Sequence, residues 1–170
     1  MTLIENLSEA DYFSGTKDDK VPRLSQSVAH TLLTKSPLHA YHEHPQLGGH
    51  RRPPTKQMDR GSLMHLLLLG KGPDIVTVDE KDWRKNVAKE ARDEARAAGK
   101  IPVLLKDYPP AEEAAEIVRE RLRDDHGIEL NGVSELSVHW TDTASDGTEV
   151  LCRSRIDHVP RPLESPTLIY

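Results

Sequence analysis

The chain of 170 residues is poor in cysteine and in aromatic residues, and it has no long hydrophobic run. Its single cysteine, Cys152, excludes a disulfide within the chain and a zinc site built on several cysteines. The longest apolar run, from Leu63 to Leu69, is interrupted by His65 and is much shorter than the about 20 residues that a transmembrane helix needs. The N-terminus has neither the basic nor the apolar stretch of a secretion signal. These absences predict a cytoplasmic protein with no membrane partner.

The chain also lacks an excess of positive charge. It has 23 Lys and Arg against 28 Asp and Glu, which gives a net charge of -5. Binding to nucleic acid through bulk positive charge is therefore excluded, and any such binding must depend on local sites. The length suits one domain. We predict a flexible N-terminal arm over residues 1–22, where charge is mixed and no period is visible, followed by one domain over residues 23–170.

The patterns within residues 23–170 predict an α/β fold of helices and strands. Capping residues, apolar spacing and terminal glycines define the predicted helices, which cover 25–36, 37–44, 57–69, 83–98 and 109–126. The apolar helix 57–69 is expected to be central and buried. A short strand is predicted over 75–78, and two alternating segments, 133–142 and 148–159, predict a β-hairpin. A third core strand begins at Thr167, so the sequence is expected to be cut within that strand.

Three polar residues occur where packing alone does not explain them: His65, Glu135 and Asp157. His65 interrupts an apolar helix, where a lone histidine is more often a hydrogen-bonded core residue than a metal ligand. Gly61 lies one helical turn earlier on the same face, and we expect it to allow the close approach of a strand. Asp157 shares a strand face with Arg155, so a simple cross-strand ion pair is the alternative interpretation.

These residues lie within motifs that follow one another in a fixed order. The motifs are GSLMH at 61–65, SELS at 134–137 and RSRID at 153–157, preceded by LSQS at 24–27 and LLTKSPLH at 32–39. In this order the chain resembles the exodeoxyribonuclease VIII-like (RecE-type) branch of the PD-(D/E)XK nucleases. The resemblance covers about residues 24–170. Each motif is short, and the order carries the resemblance.

The resemblance implies a restriction-endonuclease-like α/β core with a mixed central sheet flanked by helices, incomplete at the C-terminus. It implies that the whole nuclease digests linear double-stranded DNA in phage-type recombination. It makes His65, Glu135 and Asp157 catalytic and metal-binding residues, with Mg²⁺ as the cofactor and Mn²⁺ as a substitute. Hard oxygen ligands suit this metal, which activates water for phosphodiester hydrolysis. It also implies a homo-oligomer and a single-strand annealing protein as partners.

Four arginines are candidates for binding the DNA backbone. Arg153 and Arg155 lie beside Asp157 in sequence, and a guanidinium group can bind two phosphate oxygens at once. Arg51 and Arg52 lie in a loop rich in glycine and proline, 46–56, that could also contact phosphate.

One family motif is missing from the printed sequence. The nucleases it resembles have an Asp-x-Lys on the strand that follows the aspartate hairpin, and no Asp-x-Lys follows Asp157 here. We therefore expect the chain to be the N-terminal part of such a nuclease and to be inactive alone. The alternative is a noncatalytic DNA-binding or regulatory remnant of the nuclease fold.

A cluster of four histidines gives a third hypothesis. His39, His42, His44 and His50 lie within twelve residues and could bind zinc or nickel. Only His39 and His42 share a helical face, and Pro45 and the following glycines are expected to leave His44 and His50 without fixed geometry. An exposed, adaptable surface is the favoured interpretation of this segment.

Overall fold

The computed structural model describes residues 1–15, 21–50 and 53–160. They divide into two compact units, one containing Met1–Pro53 and Glu135–Val159 and the other containing Pro54–Ser134. The chain leaves unit 1 after Pro53 and returns to it only with the hairpin at Glu135. The single domain over residues 23–170 stays a prediction. The strand predicted from Thr167 lies outside the described residues.

Unit 1 is built on a three-stranded sheet with the order β1, β4, β5. Strand β1 (Thr2–Ile4) is antiparallel to β4 (Val133–Thr143), and β4 is hydrogen-bonded to β5 (Glu149–Val159). The predicted β-hairpin is therefore confirmed. Its turn is closed by the amide of Ala144, which donates to the carbonyl of Thr148 at 2.9 Å. The other edge of β5 forms a parallel bridge between Cys152 and Leu24.

The first fifteen residues have more structure than the flexible arm that the sequence predicted. Strand β1 places Leu3 opposite Val138, and helix α1 (Glu9–Ser14) begins with Ser8, whose hydroxyl accepts from the amide of Asp11 at 3.0 Å. The reason is tertiary: β1 completes its hydrogen bonding on the edge of β4, a partner that is more than a hundred residues away and leaves no local pattern. Residues 16–20 lie outside the described residues.

Two further short helices of unit 1 occur where the sequence predicts them. Helix α2 spans Gln26–Thr34 and helix α3 spans Pro37–Glu43. Each has a serine N-cap, Ser25 and Ser36, whose hydroxyl accepts an amide hydrogen bond from the first turn. A short 3₁₀ turn, Pro45–Leu47, follows α3.

Unit 2 contains three longer helices and a pair of parallel strands. The helices are α4 (Lys56–Leu69), α5 (Asn86–Ala97) and α6 (Tyr108–His126), and the strands are β2 (Ile75–Val78) and β3 (Ile101–Leu104). Ile75 is paired with Ile101, and the core of the unit is formed by Leu63, Ile101 and Val103. No helix in the described ranges is long and apolar enough to cross a bilayer.

The chain is mixed α/β, as predicted, but its sheet differs from the predicted one. The described strands form two separate sheets, one with three strands and one with two, instead of one mixed central sheet. The parallel pair arises because β3, which is absent from the predicted strands, is buried along its whole length beside β2.

Helix α4 was predicted to be central and buried, and the structure corrects this. Leu63 is its one fully buried residue, while its other apolar residues are partly buried or exposed. The helix therefore presents one side to the core of unit 2. Its other leucines are only partly buried. A strongly apolar sequence does not distinguish such partial burial from full burial. Gly70 ends the helix in the left-handed conformation, with a φ of 66°.

Candidate functional site

Glu135 and Asp157 lie at the same end of the β4–β5 hairpin. Each is the third residue from the open end of its strand, on the side away from the turn. Asp157 is exposed, and the Glu135 side chain is 27% exposed. The hairpin thus brings together two of the three acidic or histidine residues that the sequence singled out.

Arg155 connects this end of the hairpin to the N-terminal segment. Its Nη2 donates to the backbone carbonyl of Leu7 at 2.9 Å and to that of Ser8 at 3.3 Å. Its Nε donates to the hydroxyl of Ser137 at 3.3 Å, and its Nη1 lies 3.5 Å from Oε2 of Glu135. The side chain is only 12% exposed. In this arrangement its guanidinium is committed to protein partners and is not presented to a phosphate.

Arg153 is enclosed on the same face of β5. It is 5% exposed, and its guanidinium carbon lies 4.7 Å from the centre of the Tyr12 ring. The guanidinium carbon of Arg155 lies 4.3 Å from the same centre. Two cations thus contact one aromatic ring, a favourable cation–π arrangement that is strengthened by burial. The structure places both predicted DNA-binding arginines inside unit 1.

Glu135 has a strained backbone. Its φ is 56°, in the left-handed region, although it lies within a strand and is not glycine. For a residue with a side chain this conformation costs on the order of 1–2 kcal/mol, so it persists only where surrounding contacts impose it. Such strain often marks a bulge that redirects a side chain, and here the redirected carboxylate faces Arg155.

His65 belongs to unit 2, on helix α4. It is partly buried, and its Nδ1 lies 3.2 Å from the carbonyl oxygen of Lys71, just beyond the end of the helix. This contact agrees with the interpretation of His65 as a hydrogen-bonded histidine, which is the alternative to a metal ligand. Gly61 is exposed, and apart from its own helix no described atom lies within 4 Å of the Cβ that a side chain would add there. The close approach of a strand at Gly61 stays a prediction.

The donor residues that the resemblance implies are divided between the two units, with Glu135 and Asp157 in unit 1 and His65 in unit 2. Nowhere in the described ranges do three or more His, Cys, Asp or Glu side chains come together so that they could hold a metal ion. Within unit 1, Glu135 and Asp157 supply carboxylate oxygens, the donor type that Mg²⁺ prefers. The carboxylate of Glu135 also contacts the guanidinium group of Arg155.

The histidine segment is more ordered than the sequence indicated. His44 is held by its Nε2, 3.2 Å from the hydroxyl of Thr31, and burial lowers its pKa from the ordinary value of 6.5. The amide of His50 donates to the carbonyl of His42 at 3.2 Å. The expectation that His44 lacks fixed geometry is thus wrong, and for His50 the structure shows a fixed backbone position. Side chains of His39, His42 and His50 line a cavity of about 320 Å³, but they do not form a metal-holding group in the described part of the chain.

Two residues at the hairpin were missed by sequence reasoning. Tyr12 lies in the segment that was interpreted as an arm, and Ser137 was treated only as part of a motif. Ser137 is fully buried, which identifies its hydroxyl as an internal partner of Arg155. A signal was available for Tyr12, since it is one of only seven aromatic residues and is followed directly by Phe13. Arg51 and Arg52 lie outside the described residues.

Comparisons of the chain with family models, with curated proteins and with solved structures find no match.

Proposed function

We propose that this chain carries part of a metal-dependent deoxyribonuclease of the PD-(D/E)XK type. The proposed reaction is hydrolysis of phosphodiester bonds at the ends of linear double-stranded DNA, in phage-type recombination. The observation that carries the proposal is the placement of Glu135 and Asp157 at one end of the same hairpin. In the sequence, the motif that contains Glu135 precedes the motif that contains Asp157, and the hairpin holds these two motifs on adjacent strands. Asp157 is exposed to the solvent.

The proposed residues are those that the resemblance assigns. Asp157 and Glu135 in unit 1 and His65 in unit 2 are the proposed catalytic and metal-binding residues, with Mg²⁺ as the cofactor or Mn²⁺ in its place. Double-stranded DNA is the proposed substrate. A homo-oligomer and a single-strand annealing protein are the further proposed partners.

The first experiment measures binding by the chain itself. Calorimetry with Mn²⁺, followed by fluorescence anisotropy with a labelled blunt duplex, compares the unaltered chain with Asp157→Asn. Asp142→Asn is the matched control, because Asp142 is an exposed aspartate near the turn end of the same hairpin. We expect Asp157→Asn to abolish Mn²⁺ binding and metal-dependent binding of duplex ends, while Asp142→Asn retains both. Equal binding by the two variants would remove Asp157 from the proposal.

The second experiment measures cleavage. The coding sequence is read in frame beyond codon 170, and if an Asp-x-Lys follows, the extended protein is incubated with linear and with closed circular duplex. The expected result is Mg²⁺-dependent release of nucleotides from the linear duplex only, lost in Asp157→Asn. An extended protein that has Asp-x-Lys and digests neither DNA would overturn the proposal.

The Glu135–Arg155 contact favours a second candidate, a noncatalytic DNA-binding remnant of the nuclease fold. A carboxylate that neutralises a partly buried arginine has a structural role that requires no metal. This candidate expects duplex binding that is independent of Mn²⁺ and unchanged in Asp157→Asn. A stop codon after codon 170 together with that binding would support it over the enzyme.

A further inference from the structure

Unit 2 contains a cavity of about 350 Å³ between α4, β3 and the start of α6. Its volume is near the lower end of the range of small-molecule pockets, roughly 300–1,000 Å³. All of the residues that line it belong to unit 2. The cavity is therefore complete within one compact unit and has room for a single small ligand.

One part of the cavity lining is apolar. Leu63, Val103 and Leu104 are each at most 6% exposed and line the cavity, and the partly buried Trp83 adds an aromatic side chain to the lining. A flat, weakly polar group would remove this surface from water, and an aromatic ring could stack on the indole of Trp83.

Another part of the cavity lining is charged. Lys56 and Arg60 lie four residues apart on α4, so their side chains lie on the same side of the helix. Both are exposed, and neither side chain has a hydrogen bond or ion pair within the described residues. The nearby Asp59 is already neutralised by Arg96, whose Nη2 lies 2.5 Å from its Oδ2. Two uncommitted cations thus face the cavity, against the single remaining carboxylate of Asp107.

We propose that this cavity binds a small anionic ligand with a planar aromatic body, of the class of a nucleoside 5′-monophosphate. Its base would pack on Trp83, and its phosphate would bind to Lys56 and Arg60, because ammonium and guanidinium groups form short, charge-assisted hydrogen bonds with phosphate oxygens. The Asp107 carboxylate is an acceptor and suits a base with an exocyclic amino group. This inference does not rest on the proposed nuclease activity.

The experiment uses the full chain with Trp140→Phe, which leaves Trp83 as its one tryptophan. Deoxyadenosine 5′-monophosphate is titrated while the emission of Trp83 is recorded, and calorimetry gives an independent Kd. We expect saturable quenching. Replacing both cations, Lys56→Gln with Arg60→Gln, is expected to weaken binding about tenfold or more. The matched control, Lys89→Gln with Arg121→Gln, removes two exposed cations of unit 2 outside the cavity and should leave Kd unchanged.

Three further titrations separate the parts of the ligand. Deoxyadenosine and inorganic phosphate are each expected to bind at least about tenfold more weakly than the nucleotide, because each satisfies one part of the cavity lining. A short single strand of deoxyadenosine nucleotides distinguishes a free nucleotide from a strand end, and we expect it to bind no better than the monophosphate. Phosphate that binds as tightly as the nucleotide, or no saturation at millimolar nucleotide, would overturn the inference.

A Trp83→Phe variant, followed by calorimetry, tests the aromatic part of the lining separately from folding. Phenylalanine keeps an aromatic face, so the Kd should stay within about threefold, whereas Trp83→Ala should lose most of the binding. Circular dichroism confirms that both variants are folded. Equal Kd values for Trp83→Ala and the parent would contradict base packing on Trp83. None of these readouts involves DNA cleavage, so their failure leaves the nuclease proposal standing.

Discussion

Nη1 of Arg155 lies 3.5 Å from Oε2 of Glu135, and the same guanidinium reaches back to the carbonyls of Leu7 and Ser8. One side chain therefore links the hairpin to the N-terminal segment. It also places a positive charge beside the carboxylate of Glu135. Glu135 and Arg155 at the candidate site should therefore contribute to the stability of unit 1, and substitutions of these two residues measure that contribution.

Replacing Arg155 should destabilise the protein strongly. Arg155→Ala removes two hydrogen bonds to backbone carbonyls and leaves Glu135 without its cation, which we expect to lower the free energy of unfolding by about 2–3 kcal/mol. Urea denaturation measures this change. Arg84→Ala is the control, because the Arg84 side chain is 92% exposed, and its change should be within about 0.5 kcal/mol. Similar losses in both variants would show that Arg155 does not hold the N-terminal segment.

The positive φ of Glu135 predicts a reversal in the usual order of alanine and glycine. Both Glu135→Ala and Glu135→Gly remove the carboxylate, but only glycine adopts a φ of 56° without steric cost. We expect the glycine variant to be more stable than the alanine variant by about 1 kcal/mol in urea denaturation.

The same pair of substitutions at Thr141 is the control. Thr141 is an exposed residue of β4 whose φ is not positive. There alanine should be more stable than glycine by about 0.5–1 kcal/mol, as is usual within a strand. Alanine ahead of glycine at both positions would contradict the strained backbone at Glu135.

Local signals predicted most of the secondary structure. Ser25, Ser36, Gly70 and Gly127 each contribute a cap whose chemistry is visible in the sequence, and the helices that they bound are present. Strand β1 was missed because its stability comes from β4, at the other end of the chain.

Helix α6 shows where an apolar pattern misleads. The apolar residues of this helix suggest a buried stripe, but Ile117 and Val118 are 46% and 38% exposed. The buried face instead includes Ala115, and Arg119 donates to the carbonyl of Leu67 at the end of α4. Small residues such as Ala115 allow helices to pack closely, but an apolar pattern in a sequence does not identify them as the buried positions.

The candidate site was predicted in part. The sequence placed Glu135 and Asp157 on one hairpin, which the structure confirms, because alternation and a polar turn are local signals. It did not predict that Arg155 would be enclosed by Tyr12, since that contact depends on how the first residues fold back on the sheet. Contacts over such sequence separations leave no periodic pattern.

The single thiol should be slow to react. Cys152 is 6% exposed, and burial raises the pKa of its thiol above the ordinary value of 9.0, so little thiolate is present at neutral pH. We expect it to react with a disulfide reagent about a hundredfold more slowly in the native protein than in urea. A variant with Cys152→Ser and Ser145→Cys moves the thiol to the exposed turn and should react at nearly the unfolded rate. Rapid reaction of native Cys152 would contradict its burial in β5.

His44 should make unit 1 less stable in mild acid. Burial, the largest effect, and the nearby Arg153 and Lys35 lower its pKa below 6.5, while Glu43 acts in the opposite direction. The unfolded chain therefore binds the proton more readily than the folded one. The stability that neutral His44 contributes is fully present above pH 6.5 and is lost as the pH falls through the folded pKa.

Urea denaturation of the parent and His44→Gln from about pH 8 to about pH 5 tests this, since histidine titrates in that range. Glutamine does not titrate, so the variant should lose less stability than the parent over the acid part of the range. His30→Gln is the matched control, because His30 is exposed on α2, and its curve should follow that of the parent. Nuclear magnetic resonance titration of the His44 ring measures the pKa directly. A folded pKa at or above 6.5, or parallel curves for the parent and His44→Gln, would contradict the burial of the neutral ring against Thr31.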